Sequence, residues 1–328
     1  MRGPLRAWMD FWFRPQPTSS LALVRIAFGL LAFAWTVALT PDLSAFFTAD
    51  GLLPAQIHGG GVWGVLGVVP SGWAVVGVYA ALLVASLAVA AGWHTRLAAA
   101  VVFVGLMSLE RRNPWVFNGG DGLLRIVAFY LMLAPAGASL SLDRRRRHAD
   151  RFWEFPARAP WALRLMQIQL SVVYLGGVWD KVQGSAWNNG TAVSYALRVS
   201  DLTGLPVPAF LSHSPVVVNL LTYGTLATEL ALGILIWNRR LRPWLIGLGV
   251  AFHLSIGWSI RVGFFGLTIF ALYLSFADPD WAARRILAVR DAIARRRRRG
   301  GSGAPARGRT KPAAPEPGAE PAVLPRAT

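Results

Sequence analysis

Eight apolar stretches, several of them at or near the roughly 20 residues a helix needs to cross a bilayer, divide this chain. They run over Leu21–Thr40, Trp73–Trp93, Leu97–Leu109, Gly122–Ala138, Trp161–Trp179, Pro215–Trp237, Trp244–Ile260 and Gly263–Ala277. The third is short and is closed sharply by Glu110-Arg111-Arg112-Asn113-Pro114. Only 15% of residues are charged, against about 25% in soluble domains. Backbone polar groups inside lipid must be satisfied within their own segment, so apolar stretches of this length form helices. The pattern predicts an all-α, polytopic transmembrane helical bundle of about eight spans. Residues 1–17 form a cytoplasmic N-terminal segment, 18–282 the bundle, and 283–328 a basic, Pro/Ala-rich cytoplasmic tail expected to be largely disordered.

The net charge of +17 would raise nucleic-acid binding in a soluble protein, but most arginines stand between spans or in the tail. Topology explains them first, and no nucleic-acid partner is expected. The N-terminus, Arg96, the Arg144–Arg147 run, the Arg239/Arg240/Arg242 cluster and the C-terminal tail alternate onto one side. The positive-inside rule makes that side cytoplasmic, in a multi-pass protein of the cell membrane with both termini inside. Arg2, Arg6 and Arg14 precede the first span and no cleavage site follows it, so that span is expected to be retained. Tryptophans at span ends (Trp73, Trp93, Trp161, Trp179, Trp237, Trp244) fit an interfacial belt. The Arg295–Arg299 run is expected to hold anionic lipid of the bilayer. Pro41–Ser71 reads as a re-entrant or interfacial piece, and Asn188-Asn189-Gly190 as a turn before a short surface helix over 191–198.

Ionisable groups inside spans are costly and face a bundle interior. The candidates are Arg25, Asp121, Arg125, Arg164, Glu229 and His253, with Gln167 and Gln169 as polar company. Asp121 and Arg125, four apart, can pair on one helix face, and Gln167 follows Arg164 by three. Glu229, in mid-span, needs an arginine partner or a proton. Of the basic residues only Lys181 and Lys311 are lysines, and Lys181 alone falls in the bundle, at the end of a long apolar run. Arginine is effectively always charged; a partly desolvated lysine can lose its proton and act as a base. The alternative is an interfacial lysine whose stem snorkels along apolar surface. Cysteine is absent, which excludes disulfides, thiol catalysis and iron–sulfur clusters. The five histidines are scattered without ligand spacing, so no metal is expected. Phosphate-loop, dinucleotide and serine-nucleophile motifs are missing as well.

Several stretches together resemble the HTTM family, the horizontally transferred transmembrane domain shared with vitamin K-dependent gamma-carboxylase. They are Leu21-Ala-Leu-Val-Arg25-Ile-Ala-Phe-Gly29 and Arg112-Asn113-Pro114-Trp-Val-Phe-Asn118-Gly-Gly-Asp121-Gly-Leu-Leu-Arg125. Pro135-Ala-Gly-Ala-Ser-Leu-Ser141-Leu-Asp143, Tyr174–Tyr195, Glu229 and Phe252-His253-Leu continue the likeness over about residues 18–280. The resemblance implies an HTTM-like bundle in which Lys181, Trp187, Gly190 and Tyr195 match a Lys…Trp…Gly…Tyr pattern. In the carboxylase branch that lysine is held to deprotonate a reduced quinone of the vitamin K type. Arg25, Asn113, Asn118, Asp121, Arg125, Trp187, Tyr195, Glu229 and His253 are then candidate cavity or binding residues. The carboxylase carries an Asn-Asn-His motif where this chain has Asn118-Gly-Gly-Asp121 without histidine. It also follows its membrane part with a large soluble domain, where this sequence has a basic tail. Quinone-linked chemistry therefore fits the comparison better than peptide carboxylation.

The leading expectation is a hydroquinone-dependent membrane enzyme with Lys181 as an outward-facing base. Its rivals are a binding or immunity-type membrane protein of the same fold without the chemistry, and a small-solute transporter using Arg25, Asp121, Arg125 and Glu229 as a relay. Orientation is open to direct test because the chain has no cysteine. An impermeant thiol reagent applied to intact cells should label a cysteine placed at Gly60 or Asn189 and leave one at Ala149 unlabelled. The reverse pattern would invert the topology.

Overall fold

The computed structural model describes residues 3–52, 64–69, 71–199, 202 and 204–301. It is all-α apart from one two-residue ribbon. Helix α1 (Pro4–Phe13) precedes α2 (Ser19–Ala38). Two short helices, α3 (Leu43–Phe47) and α4 (Val65–Val68), occupy the described part of the expected interfacial piece; 53–63 and 70 lie outside the described residues. Then come α5 (Gly72–Ala91), α6 (Thr95–Arg112), α7 (Gly119–Leu133) and α8 (Leu142–Arg147). Strands β1 (Gln16–Pro17) and β2 (Ala157–Arg158) pair antiparallel, Gln16 opposite Arg158. The second half holds α9 (Trp161–Val182), α10 (Ser185–Asn188), α11 (Ala192–Arg198), α12 (Phe210–His213), α13 (Pro215–Ile234), α14 (Arg242–Ser259) and α15 (Phe265–Tyr273).

Each of the eight predicted apolar stretches is helical over most of its length. Three helical segments, Ser19–Phe47, Gly72–Ala91 and Pro215–Trp237, are long and apolar enough by themselves to cross a membrane. Others fall short for visible reasons. Helix α6 carries Arg96, Glu110, Arg111 and Arg112, and α9 carries Arg164, Asp180 and Lys181. Helix α7, fifteen residues, spans about 22 Å at 1.5 Å per residue, because Pro135 stops it earlier than its apolar run predicts. These helices bury their polar residues against neighbours: α2 packs on α5, α5 on α6, α6 on α7, and α9 on α13. Helix α15 lies against α2, α7, α9 and α14.

Arginine forks tie several helix ends together. Arg25, fully buried, donates to the carbonyls of Leu140 at 2.7 Å, Ser139 at 3.1 Å, Ala136 at 3.2 Å and Ala90 at 3.4 Å. Ala90 lies in the last turn of α5, where carbonyls lack helical partners, and the other three lie in the segment between α7 and α8. Arg242 does the same for Ile236, Trp237 and Phe276, beyond α13 and α15. Arg164 donates to the Phe11 carbonyl, lies 4.7 Å over the Phe11 ring, and pairs with Gln167 at 2.8 Å, as their spacing predicts. The amphipathic α1 is held there, with Leu5, Trp8, Met9 and Phe13 exposed as on an interfacial helix.

Residues 283–301, expected as part of a disordered tail, are helical. Helix α16 (Pro279–Gly301) leads from the first compact unit (Met1–Arg285) into the second (Ile286–Thr328). Asp278 Oδ1 accepts the Trp281 amide at 2.9 Å, Pro279 opens the first turn, and the Ala- and Arg-rich run that follows is strongly helix-forming. The rest of the expected tail, 302–328, lies outside the described residues.

Candidate functional site

Tyr174, Gly177 and Lys181 fall at i, i+3 and i+7 on α9, so they share one face. That face meets Glu229 of α13. Lys181 Nζ donates to both carboxylate oxygens of Glu229, at 2.8 and 2.9 Å, and lies 3.4 Å from the Gly177 carbonyl. The side chain of Lys181 is 24% exposed and that of Glu229 11%. A Cβ at Gly177 would lie 3.3 Å from Nζ and 3.6 Å from Glu229 Oε2, so a residue without a side chain leaves the pair its space. Glu229 thus takes the lysine as its partner, where the sequence predicted an arginine or a proton. Distance in sequence hid this: the two are 48 residues apart.

Above the pair lies the 185–191 turn. The Trp187 ring centroid is 5.4 Å from Nζ, a cation–π contact. Gly190, at φ 74, makes the predicted turn, and its carbonyl accepts from Asn219 Nδ2 at 3.2 Å, while Tyr223 Oη donates to the Asn188 carbonyl at 2.9 Å. Both anchors belong to α13, so the helix that supplies Glu229 also fixes the cover over Lys181. Tyr195, on α11, is 64% exposed and takes no part in the pair's hydrogen bonds. Asp180 is exposed, away from the buried face that Lys181 shares with Tyr174.

About two turns deeper, Tyr174 Oη lies 2.8 Å from His253 Nε2 and 2.5 Å from Tyr273 Oη. All three residues are buried. Phe252, Phe265 and Phe270 surround the imidazole, and His253 Nδ1 is buried with no hydrogen-bond partner among the described residues. Tyr174 and Tyr273 carried no role in the sequence reading, although the spacing of Tyr174 from Lys181 signals a shared face.

A family model for the HTTM domain matches residues 13–281. The chain belongs to the HTTM family. No curated protein and no solved structure matches it.

The remaining candidate residues of this HTTM chain serve its helix corners. Asp121 and Arg125 do not pair with each other. Arg125 pairs with Glu110 across the α6–α7 corner, a partner the sequence reading used only as a helix terminator. Asp121 is occupied elsewhere: one oxygen accepts the Asn118 amide at 2.7 Å and the other Trp35 Nε1 at 2.6 Å. Asn118 Oδ1 accepts the Gly120 amide at 2.7 Å, completing a capping box that starts α7. Asn113 Nδ2 donates to the Phe46 carbonyl at 3.0 Å, and Arg112 to the carbonyls of Phe47 and Thr48, both at 3.1 Å. The Arg112–Arg125 motif is therefore a joint between α6, α7, α2 and α3. Arg25 stands among carbonyls at the end of α5 and in the segment after α7, at the end of the helices opposite Lys181. A cavity of about 560 Å³ also opens at that opposite end, beside the α5–α6 turn.

Breaking the Lys181–Glu229 pair should expose its coupling. Lys181→Met and Glu229→Leu each strand a charge and should each cost about 3 kcal/mol, the low end for buried pairs because Lys181 is partly exposed. The double variant, with no charge left, should recover to within about 1 kcal/mol of the parent in chemical denaturation of the detergent-solubilised protein. Additive losses would mean that the pair carries no coupling.

Proposed function

We propose that this HTTM chain is a membrane enzyme that crosses the bilayer eight times, takes a lipid-soluble hydroquinone from the membrane and uses Lys181 as its base. In this reading both termini are cytoplasmic, Lys181 works near the outer face, and the Arg295–Arg299 run binds anionic lipid. The observation that carries the proposal is the bidentate seat of the bundle's one lysine on Glu229.

A reduced quinone of the vitamin K type supplies, when bound, an acidic aromatic hydroxyl and two reducing equivalents. The residues fit such a ring. Aromatic side chains surround His253, and its Nδ1 is a buried polar atom with no hydrogen-bond partner among the described residues, open to a ligand hydroxyl. Transfer of a proton from Lys181 Nζ to a Glu229 oxygen removes two charges together, which a low-dielectric site tolerates better than one lone charge. The neutral amine then accepts the hydroxyl proton and becomes an ammonium again, while Glu229 stays protonated. Trp187 stabilises the ammonium through its ring face and keeps water off it. The net result is one proton moved from ligand to Glu229 with the lysine returned to its starting state.

The same ion pair favours a second reading, a structural lock between α9 and α13 in a protein without chemistry. A solute relay draws less support, because Arg25, Asp121 and Arg125 are each occupied by partners other than Glu229, Arg25 at one joint and Asp121 and Arg125 at another. Lys181→Arg separates enzyme from lock. Arginine can keep the ion pair but cannot supply a base near neutral pH. In proteoliposomes given a reduced vitamin K-type naphthoquinone, Lys181→Arg should lower quinol-driven oxygen consumption by at least about 100-fold. Thermal stability and quinone retention should stay near wild type. Wild-type turnover in Lys181→Arg would leave only the lock.

A further inference from the structure

The cavity beside the α5–α6 turn has a composition that the quinone reading does not use. It forms where the start of α6, the end of α7, α8 and β2 converge. Four arginines line it: Arg96, Arg144, Arg147 and Arg158. Arg144 is buried and committed, donating to the Arg151 carbonyl at 2.8 Å and to Glu154 at 3.3 Å. Arg96, Arg147 and Arg158 are exposed, and among the described residues none has a carboxylate within ion-pairing distance.

The one acid in the lining is Asp143, and it makes no ion pair with any of the three. Its oxygens accept the His94 amide at 2.8 Å, the Thr95 amide at 2.9 Å and the Thr95 hydroxyl at 2.7 Å. Burial opposes its charge, but these hydrogen bonds prevail and hold its carboxyl below the usual carboxylate range. The carboxylate is therefore directed at the start of α6, and its single negative charge is outnumbered by the three exposed arginines of the lining. The lip is apolar. Leu97, which lines the cavity, is 67% exposed, and Trp93 beside it is 41% exposed. Fixed positive charge above exposed apolar surface is what a lipid with an anionic headgroup and acyl chains complements.

We propose that this cavity binds an anionic phospholipid, its phosphodiester held by Arg96, Arg147 and Arg158 and an acyl chain running over Leu97. The site is distinct from the Arg295–Arg299 run, which lies far along the chain on α16 and stays unaltered in every variant below.

Native mass spectrometry of the purified full chain, titrated with dioctanoyl phosphatidylglycerol in a neutral detergent, tests the proposal. Wild-type protein should bind phosphatidylglycerol in preference to dioctanoyl phosphatidylcholine. Each of Arg96→Gln, Arg147→Gln and Arg158→Gln should weaken binding roughly fivefold, and the triple variant roughly a hundredfold. The three side chains are exposed, so the variants should fold, and the single variants carry the test if the triple does not. Arg145→Gln, an exposed neighbour on α8 that does not line the cavity, should change binding less than about twofold, within the range of screened surface charge. Undiminished binding by the single or triple variants, an equal loss in Arg145→Gln, or equal affinity for phosphatidylcholine would overturn the site. Displacement of the lipid by an equal concentration of inorganic phosphate would overturn the lipid as its occupant in favour of a soluble phosphate.

Discussion

A charged or polar side chain among apolar helices cannot look to water, so it must find its partner in the protein, and that need organises this molecule. The solution chosen is mostly one of backbone. Arg25, Arg112 and Arg242 spread their planar donors over carbonyls at the ends of helices. A guanidinium suits this work because its fork reaches several acceptors in fixed directions and it does not lose its proton. The short helices depend on these ties. A fifteen-residue α7 keeps its place because Arg25 receives the carbonyls after its last turn, while Asn118 and Asp121 satisfy the amides of its first.

Lys181 stands apart from that pattern in chemistry as well as in kind. Its main partner is a carboxylate, on the α9 face where Gly177 leaves room, under a cover pinned to the partner's own helix. An arginine could hold two helices together there. An ammonium can in addition give up a proton to the group that holds it, and the Tyr174–His253–Tyr273 cluster on the same side of α9 adds further hydroxyls and an imidazole within the apolar shell. At the joints elsewhere arginine is held by carbonyls or a carboxylate at helix ends; here a lysine faces a glutamate, and two turns away the buried His253 Nδ1 has no hydrogen-bond partner among the described residues.

How much of this was legible beforehand follows from the range of each interaction. Apolar runs and their punctuation are local, and the helices fall where Trp73–Trp93 or Pro215–Trp237 predicted them. The turn at Gly190 and the Arg164–Gln167 contact are local too. Lys181 was visible by residue type alone. Its partner was not, because Glu229 is brought to it only by the packing of α9 on α13. The same reason misdirected Asp121 and Arg125. Their spacing allows a pair, but Glu110 on the neighbouring helix and the Trp35 indole offer better-placed partners that helical periodicity cannot reveal. The helix over 283–301 was less legible for the opposite reason: its charge points to a solvated tail, while local helix propensity and the Asp278 cap favour a helix.

The central claim is that Lys181 holds its proton in a coupled pair with Glu229 inside the membrane part of the protein. Two lysines in the whole chain make it directly measurable. Labelling with ¹⁵N-lysine in a Lys311→Arg background leaves a single side-chain nitrogen signal, that of Lys181. The pair predicts a signal distinct from that of a hydrated ammonium, which moves when Glu229 is replaced by glutamine and moves again when a reduced naphthoquinone is added to the membranes. A signal at the position of a free, water-exposed ammonium, indifferent to both changes, would contradict it.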